Sequence, residues 1–305
     1  MNRREFLKSA AVVALAAGFW DRLPLGAAPA AGGAGEVFDL VAVRNREPVA
    51  LLDEALEALG GIGRFVKSGQ SVVIKPNIGW NQTPESGADT NPELIGALTE
   101  RCLGAGASRV VVFDHTCDRD WEACYQRSGI RAAVEKAGGE IVTGNNHDTY
   151  ESCPLAAAVR MKNPEVMKLV RECDVFINVP VLKNHGGAKM TCAMKNFMGV
   201  VWDRPYMHKN DLDQCIADSV LVRRPDLNIV DAYRVMLSGG PVGRSRATRS
   251  RLDKMLLAST DIVAVDTAAA RILGLSTDDL KYLGYGEALG LGSTDLNSLR
   301  IKRIG

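Results

Sequence analysis

From Phe38 onward the chain alternates short apolar runs of strand length with amphipathic stretches of helix length, and this alternation constrains the fold more than any other feature. It is the pattern of an α/β protein with a largely parallel central sheet flanked by helices. The runs are FDLVAV (Phe38 to Val43), SVVIK (Ser71 to Lys75), RVVVFD (Arg109 to Asp114), EIVTG (Glu140 to Gly144), DVFINV (Asp174 to Val179), LNIVD (Leu227 to Asp231) and MLLAS (Met255 to Ser259). Between them, helices are expected at Pro48 to Leu59, Pro92 to Leu103, Ile130 to Ala137, Pro164 to Arg171, Leu212 to Val222 and Ile262 to Leu273. Three open on proline, which suits a first helical turn because the missing N–H had no partner there. No internal repeat or linker interrupts residues 31–305, so a single domain is expected, with Thr116 to Ala158 as a candidate insertion.

Residues 1–30 read differently. Arg3 and Arg4 precede Phe6, Leu7 and Lys8, then an apolar run from Ser9 to Trp20 and a small-residue tract from Gly26 to Gly35. These are the three parts of an export signal. The arginine pair resembles a twin-arginine signal, which implies export of a folded chain by the twin-arginine machinery to a periplasmic or other extracytoplasmic site. The apolar run is too short to span a bilayer, which takes about 20 residues. No second segment is long enough, so no stable membrane span is expected after cleavage. The net charge of +1 gives no general reason to expect nucleic acid as a partner.

The 7 cysteines include no C-x-x-C pair, so neither a zinc ribbon nor an iron–sulfur cluster is signalled. Cys117 and Cys124 stand out because their neighbours are polar. GAGASRVVVFD (Gly104 to Asp114) precedes a strand rather than a helix and lacks a third glycine, so it reads as a helix end and not as a dinucleotide loop.

Ligands of parallel α/β sheets bind outside the carboxyl ends of the strands. Here those ends carry Lys75 and Asn77, Asp114 and His115, Lys183 with His185, and Asp231. Each alone is an ordinary surface or turn residue; four polar ends on one rim suggest a site. The stretch Asn178 to Asp203 holds Lys183, His185, Lys189 and Lys195 with no acid before Asp203, interleaved with Met190, Met194, Phe197 and Met198. Buried lysines need a partner or a ligand. A helix from Lys189 would put Lys195 and Gly199 on one face with Asn196 beside them. Further on, SGGPVGRSRATRSR (Ser238 to Arg251) offers the backbone of Gly239, Gly240 and Gly243 as an anion nest with Arg244 adding charge, while Arg246 to Arg251 read equally as a solvated loop. From Lys183 to Lys254 there are 13 basic and 7 acidic residues.

Several segments resemble the family called domain of unknown function 362. They are VVIKPNI (Val72 to Ile78), VVVFDHT (Val110 to Thr116), INVPVLKNH with TCAMKNFMGVV (Ile177 to Val201), PDLNIVDAYRVMLSGGPVG (Pro225 to Gly243) and DIVAVDTAAARILG (Asp261 to Gly274). The resemblance implies one α/β domain and transfers no reaction. Some members carry ferredoxin-type cysteine clusters, which this sequence lacks.

The expected function is an enzyme acting on a small anionic molecule. Lys75, Asn77, Lys183, Lys195, Asn196, Gly239 and Gly240 would bind the ligand, His185 would carry the proton, and Asp114 or Asp231 would orient it. The cofactor is unknown and no metal ligand set is read. The alternatives are a non-catalytic ligand-binding or cofactor-maturation protein, and a metal- or thiol-based redox protein using His115, His147, Cys117, Cys124 or Cys153. Asp261 and Asp266 read as helix-cap and dipole partners.

Overall fold

The computed structural model describes residues 37–246 and 248–305; the expected export signal lies outside the described residues. The chain runs β1 (Leu40–Arg44), α1 (Pro48–Ala58), β2 (Ser71–Pro76), α2 (Pro92–Gly104), β3 (Arg109–Asp114), α3 (Trp121–Arg127), α4 (Ile130–Lys136) and β4 (Glu140–Thr143). A small hairpin, β5 (Tyr150–Ser152) with β6 (Glu165–Met167), leads into α5 (Lys168–Glu172). Then come β7 (Val175–Val179), β8 (Val181–His185), β9 (Lys189–Thr191), α6 (Ala193–Asn196), α7 (Arg204–Lys209) and α8 (Leu212–Val220). The last elements are β10 (Leu227–Ser238), β11 (Arg249–Ser259), α9 (Ile262–Ile272), α10 (Lys281–Ala288) and β12 (Ile301–Ile304).

The main sheet has the order β12-β1-β11-β10-β7-β2-β3-β4, with β8 and β9 attached beside β10. It is mostly parallel. β11 runs antiparallel to both β1 and β10, and β9 antiparallel to β8. Strand residues alternate between two cores, which is why these runs are apolar at nearly every position. Val73, Val111, Phe113, Phe176 and Leu257 face one side, against α6, α8, α9 and α10. Val72, Ile74, Val110, Val112, Val175, Ile177 and Ile229 face the other, against α1, α2, α3 and α4. At about 25 cal/mol per Å² of buried apolar surface, such two-sided burial is the main stabilising term.

Several expected boundaries move. The run at Met255 is the end of a long hairpin formed by β10 and β11, so part of the basic tract (Arg249 to Arg251) is strand rather than loop. Pro164 to Arg171 is not a helix: β6 takes Glu165–Met167 and the helix starts at Lys168. The segment from Lys189 begins as strand β9; α-helix covers Ala193–Asn196 and a 3-10 turn continues over Phe197–Gly199. Strand β8, helix α10 and strand β12 carried no clear signal, being short or weakly patterned.

Candidate functional site

One polar row crosses the sheet beneath α6. Lys75 of β2 lies in register with Asn178 of β7, and Asn178 with Asn228 of β10. All three are fully buried, on strands otherwise apolar. Buried polar groups persist only when satisfied, and Asn196 of α6 does much of the satisfying. Its amide donates to Asn178 Oδ1 at 2.8 Å and to the Lys75 carbonyl at 3.1 Å, while its Oδ1 accepts from Lys75 Nζ at 2.9 Å.

The Lys75 ammonium has three protons and three acceptors: Asn196 Oδ1, the Pro76 carbonyl at 2.8 Å and Asp114 Oδ1 at 2.7 Å. Burial lowers its pKa, with Asp114 opposing. Asp114 in turn accepts from the backbone N–H of Ile78 at 2.7 Å and of His115 at 2.8 Å. Gly199 sits against this ion pair so closely that a Cβ there would stand 2.1 Å from Asp114 Oδ1 and 2.8 Å from Lys75 Nζ.

Helix α6 is held by its neighbour. Asp266 of α9 accepts from the backbone N–H of Ala193 at 2.6 Å and of Met194 at 3.0 Å, and burial raises its pKa to about 6. Asp261 instead caps its own helix, accepting from Ala264 N at 2.8 Å.

Over this row opens a cavity of about 330 Å³. Lys75, Asn77, Asp114, Lys183, His185, Lys195 and Asn196 all reach it, so seven of the ten expected site residues converge there. Lys183 donates to Asn77 Oδ1 at 2.8 Å and to the Ala88 carbonyl. Burial lowers its pKa to about 8, opposed by Asp89. Lys195 differs from both other lysines: it is nine-tenths buried, and no hydrogen bond or ion pair reaches its ammonium from the described residues. Burial, with Lys183, Arg204 and Lys75 nearby, lowers its pKa to about 8.

His185 does not have the geometry of a general base. Its Nδ1 accepts from the backbone N–H groups of Gly187 and Ala188, both at 3.0 Å. The neutral ring therefore carries its proton on Nε2 and offers a donor. Burial, with Lys195, Lys183 and His208 adding, pushes its pKa down to about 3, so it stays neutral at ordinary pH.

The three remaining candidates stand elsewhere. Asp231 accepts from Asn91 N at 2.7 Å and from Tyr233 N at 2.9 Å, and lines a separate hollow with Glu85, Asp89 and Glu93. It alternates with Val230 and Ala232 and so lies on the face that Ile229 shares with α2, opposite the face that carries Lys75 and the cavity. Gly239 and Gly240 form the turn of the β10–β11 hairpin and do not line the cavity, although the next residue, Pro241, does. A Cβ on Gly240 would meet the Asn184 carbonyl at 1.9 Å, so this glycine is required by close backbone packing on β8.

The sequence reading missed Arg204, His208 and Thr191. Arg204 donates to the carbonyls of His115 at 2.8 Å and Thr116 at 2.6 Å and to Cys117 Sγ at 3.2 Å, tying α7 to the loop after β3. The basic stretch continues past Asp203 to Arg204, His208 and Lys209, and that continuation was the available signal. Thr191 Oγ1 and His115 Nδ1 are buried without a hydrogen-bond partner, and both residues line the cavity. His115 stacks on Trp202 at 4.9 Å between ring centres, and burial lowers its pKa to about 4.

Among the described residues, no three His, Cys, Asp or Glu side chains are grouped to hold a metal ion. All seven cysteines are unpaired; Cys117 is exposed and Cys124 and Cys153 are buried. No helix among the described residues is long and apolar enough to cross a membrane.

A thylakoid-associated protein of Synechocystis sp. is 28% identical over 263 residues, spanning 81% of this chain and 76% of its own. A crystal structure of a Thermotoga maritima protein superposes over 75% of this chain and 59% of its own, with a TM-score of 0.46 and 11% identity. A lactate racemase apoprotein from Thermoanaerobacterium thermosaccharolyticum does so over 64% and 50%, with a TM-score of 0.42 and 12% identity. This chain thus spans less than two thirds of either solved structure. The family model for the domain of unknown function 362 matches residues 72–271, and the chain belongs to that family.

Proposed function

We propose that the cavity binds a small anionic molecule and that the protein is an enzyme acting on it. The observation that carries this reading is Lys195, a nine-tenths buried residue that lines the cavity and whose ammonium has no protein partner among the described residues. An unpaired buried charge costs several kcal/mol, and an anionic ligand removes that cost. Lys183 keeps one N–H free after its two bonds, and Thr191 and His185 Nε2 add donors. Among the described residues, the only carboxylate lining the cavity, Asp114, is already engaged by Lys75. Lys75 and Asn196 are then supports for the cavity floor rather than ligand contacts. The volume lies at the low end of small-molecule sites.

The engaged Nδ1 of His185 favours a second reading, a protein that holds its ligand without turnover, since the expected proton carrier has no free basic nitrogen. The N-terminal arginine pair supports export by the twin-arginine route.

Calorimetric titration with acetate, glycolate, phosphate and sulfate tests the anion site. At least one should bind at one site per chain, and Lys195→Met should weaken it at least tenfold. Absence of saturable binding for every anion would remove the reading.

A further inference from the structure

Three buried lysines line one cavity, and their surroundings sort them. Lys75 gives all three ammonium protons to fixed acceptors, one of them a carboxylate, so it is locked in its charged form. Lys183 is held by two oxygens. Lys195 is held by none among the described residues, yet it is nine-tenths buried and has Lys183, Arg204 and Lys75 for electrostatic neighbours. A desolvated amine beside other cations is the arrangement that makes lysine a nucleophile, because it favours the neutral form whose lone pair can attack.

We infer that Lys195 is a covalent catalytic residue, whose amine condenses with the carbonyl group of a small oxo acid held in the cavity. This rests on the anion-site reading above and adds the substrate class. The carboxylate accounts for the cationic lining: the free N–H of Lys183 and the Nε2–H of His185 remain as its donors once Lys195 is spent as a nucleophile. In the step itself, neutral Nζ adds to the carbonyl carbon, forming the N–C bond as the C=O π pair moves to oxygen. That oxygen takes up the proton released by nitrogen, giving a carbinolamine. The C–O bond then breaks, oxygen leaves as water with one further proton from solvent, and the nitrogen lone pair closes a protonated C=N bond. Amine, oxo acid and one proton become a protonated imine and water, with no oxidant or reductant. The lowered pKa of Lys195, about 8, leaves an appreciable neutral fraction near neutrality.

The full chain is incubated with glyoxylate and cyanoborohydride, and the adduct is located by intact mass and peptide mapping. Reduction captures C=N bonds only, so a thiol adduct on nearby Cys117 gives no signal. The expected result is one adduct per chain, on Lys195, saturating with glyoxylate and suppressed by glycolate, which has the carboxylate but no carbonyl. Lys195→Arg, checked for folding by circular dichroism, should lose trapping at least tenfold. If glycolate binds and no adduct forms, or the adduct falls mainly on other lysines, the covalent role is wrong and the anion site stands. If neither glycolate nor glyoxylate binds and nothing is trapped, both readings fail.

Discussion

Gly199→Ala isolates the central ion pair with a single methyl. The new Cβ would stand 2.1 Å from Asp114 Oδ1, 2.7 Å from Lys75 Cε and 2.8 Å from Lys75 Nζ. Comfortable heavy-atom separation is roughly 3.5 Å, so the carboxylate must retreat by more than an ångström. It cannot do so freely, because it also accepts from Ile78 N and His115 N. One partner of a pair at 2.7 Å, with side chains only 1% and 3% exposed, is therefore displaced. Displacing one member of a buried pair costs about 3–5 kcal/mol, a large share of the roughly 5–15 kcal/mol that holds a domain folded. Urea unfolding followed by tryptophan fluorescence reads this directly. Gly186→Ala is the control, because a Cβ there meets nothing within 4 Å; it should change stability by less than about 1 kcal/mol. A Gly199→Ala protein within about 1 kcal/mol of the parent would show that the cavity floor yields, and the reasoning about a locked Lys75 would fall with it.

Anion affinity should decline as pH rises through the Lys195 pKa of about 8, set by burial with Lys183, Arg204 and Lys75 adding and Cys117 opposing. Well above that value the loss should approach about tenfold per pH unit, whereas imine trapping should rise over the same range. Affinity independent of pH across that window contradicts a role for the Lys195 charge. The same depressed pKa, against 10.5 for the unfolded residue, makes the bound proton a burden on the fold, so its removal should raise stability between about 8 and 10.5. Asp218 accepts from the backbone N–H groups of Val159, Arg160 and Met161. Asp218→Ala should cost about 3 kcal/mol and speed tryptic cleavage after Arg160 or Lys162; unchanged cleavage would count against that anchor. Replacing Arg3 and Arg4 together by lysine should stop export, and normal export of the double variant would rule out a twin-arginine route.

How much of this was readable beforehand depended on the range of the causes. The parallel strands announce themselves because burial on two faces forces apolar residues at successive positions, as in Val72, Val73 and Ile74. Lys75, Asp114, Lys183 and Lys195 stood out as charges set among such residues, and the cavity brings them together. Asp231 was misplaced because a strand-end rule gives the rim but not the face of the sheet, and its alternation with Val230 puts it on the side of α2. The three acceptors of Lys75 come from residues 76, 114 and 196, a convergence only the tertiary fold reveals. Strand β8 is short, and its alternation is masked by Lys183, which is buried where a strand pattern leads one to expect an apolar side chain. Gly240 looked like an anion nest because a glycine needed for backbone packing and one needed for ligand approach look identical in one dimension.

The pairing of β1 has a consequence for synthesis. Its two neighbours are β11 and β12, and the Asp39 carboxylate bonds to Arg300 across 261 positions of chain. The first strand therefore waits on the ribosome-bound chain with both edges open until the last elements emerge, and contacts of such long range form late. Helix α6 waits too, since Asp266 arrives some seventy residues after the amides it holds. The cavity, whose lining includes Lys195 and Asn196 of α6, thus depends on a contact that can form only after Asp266 has emerged.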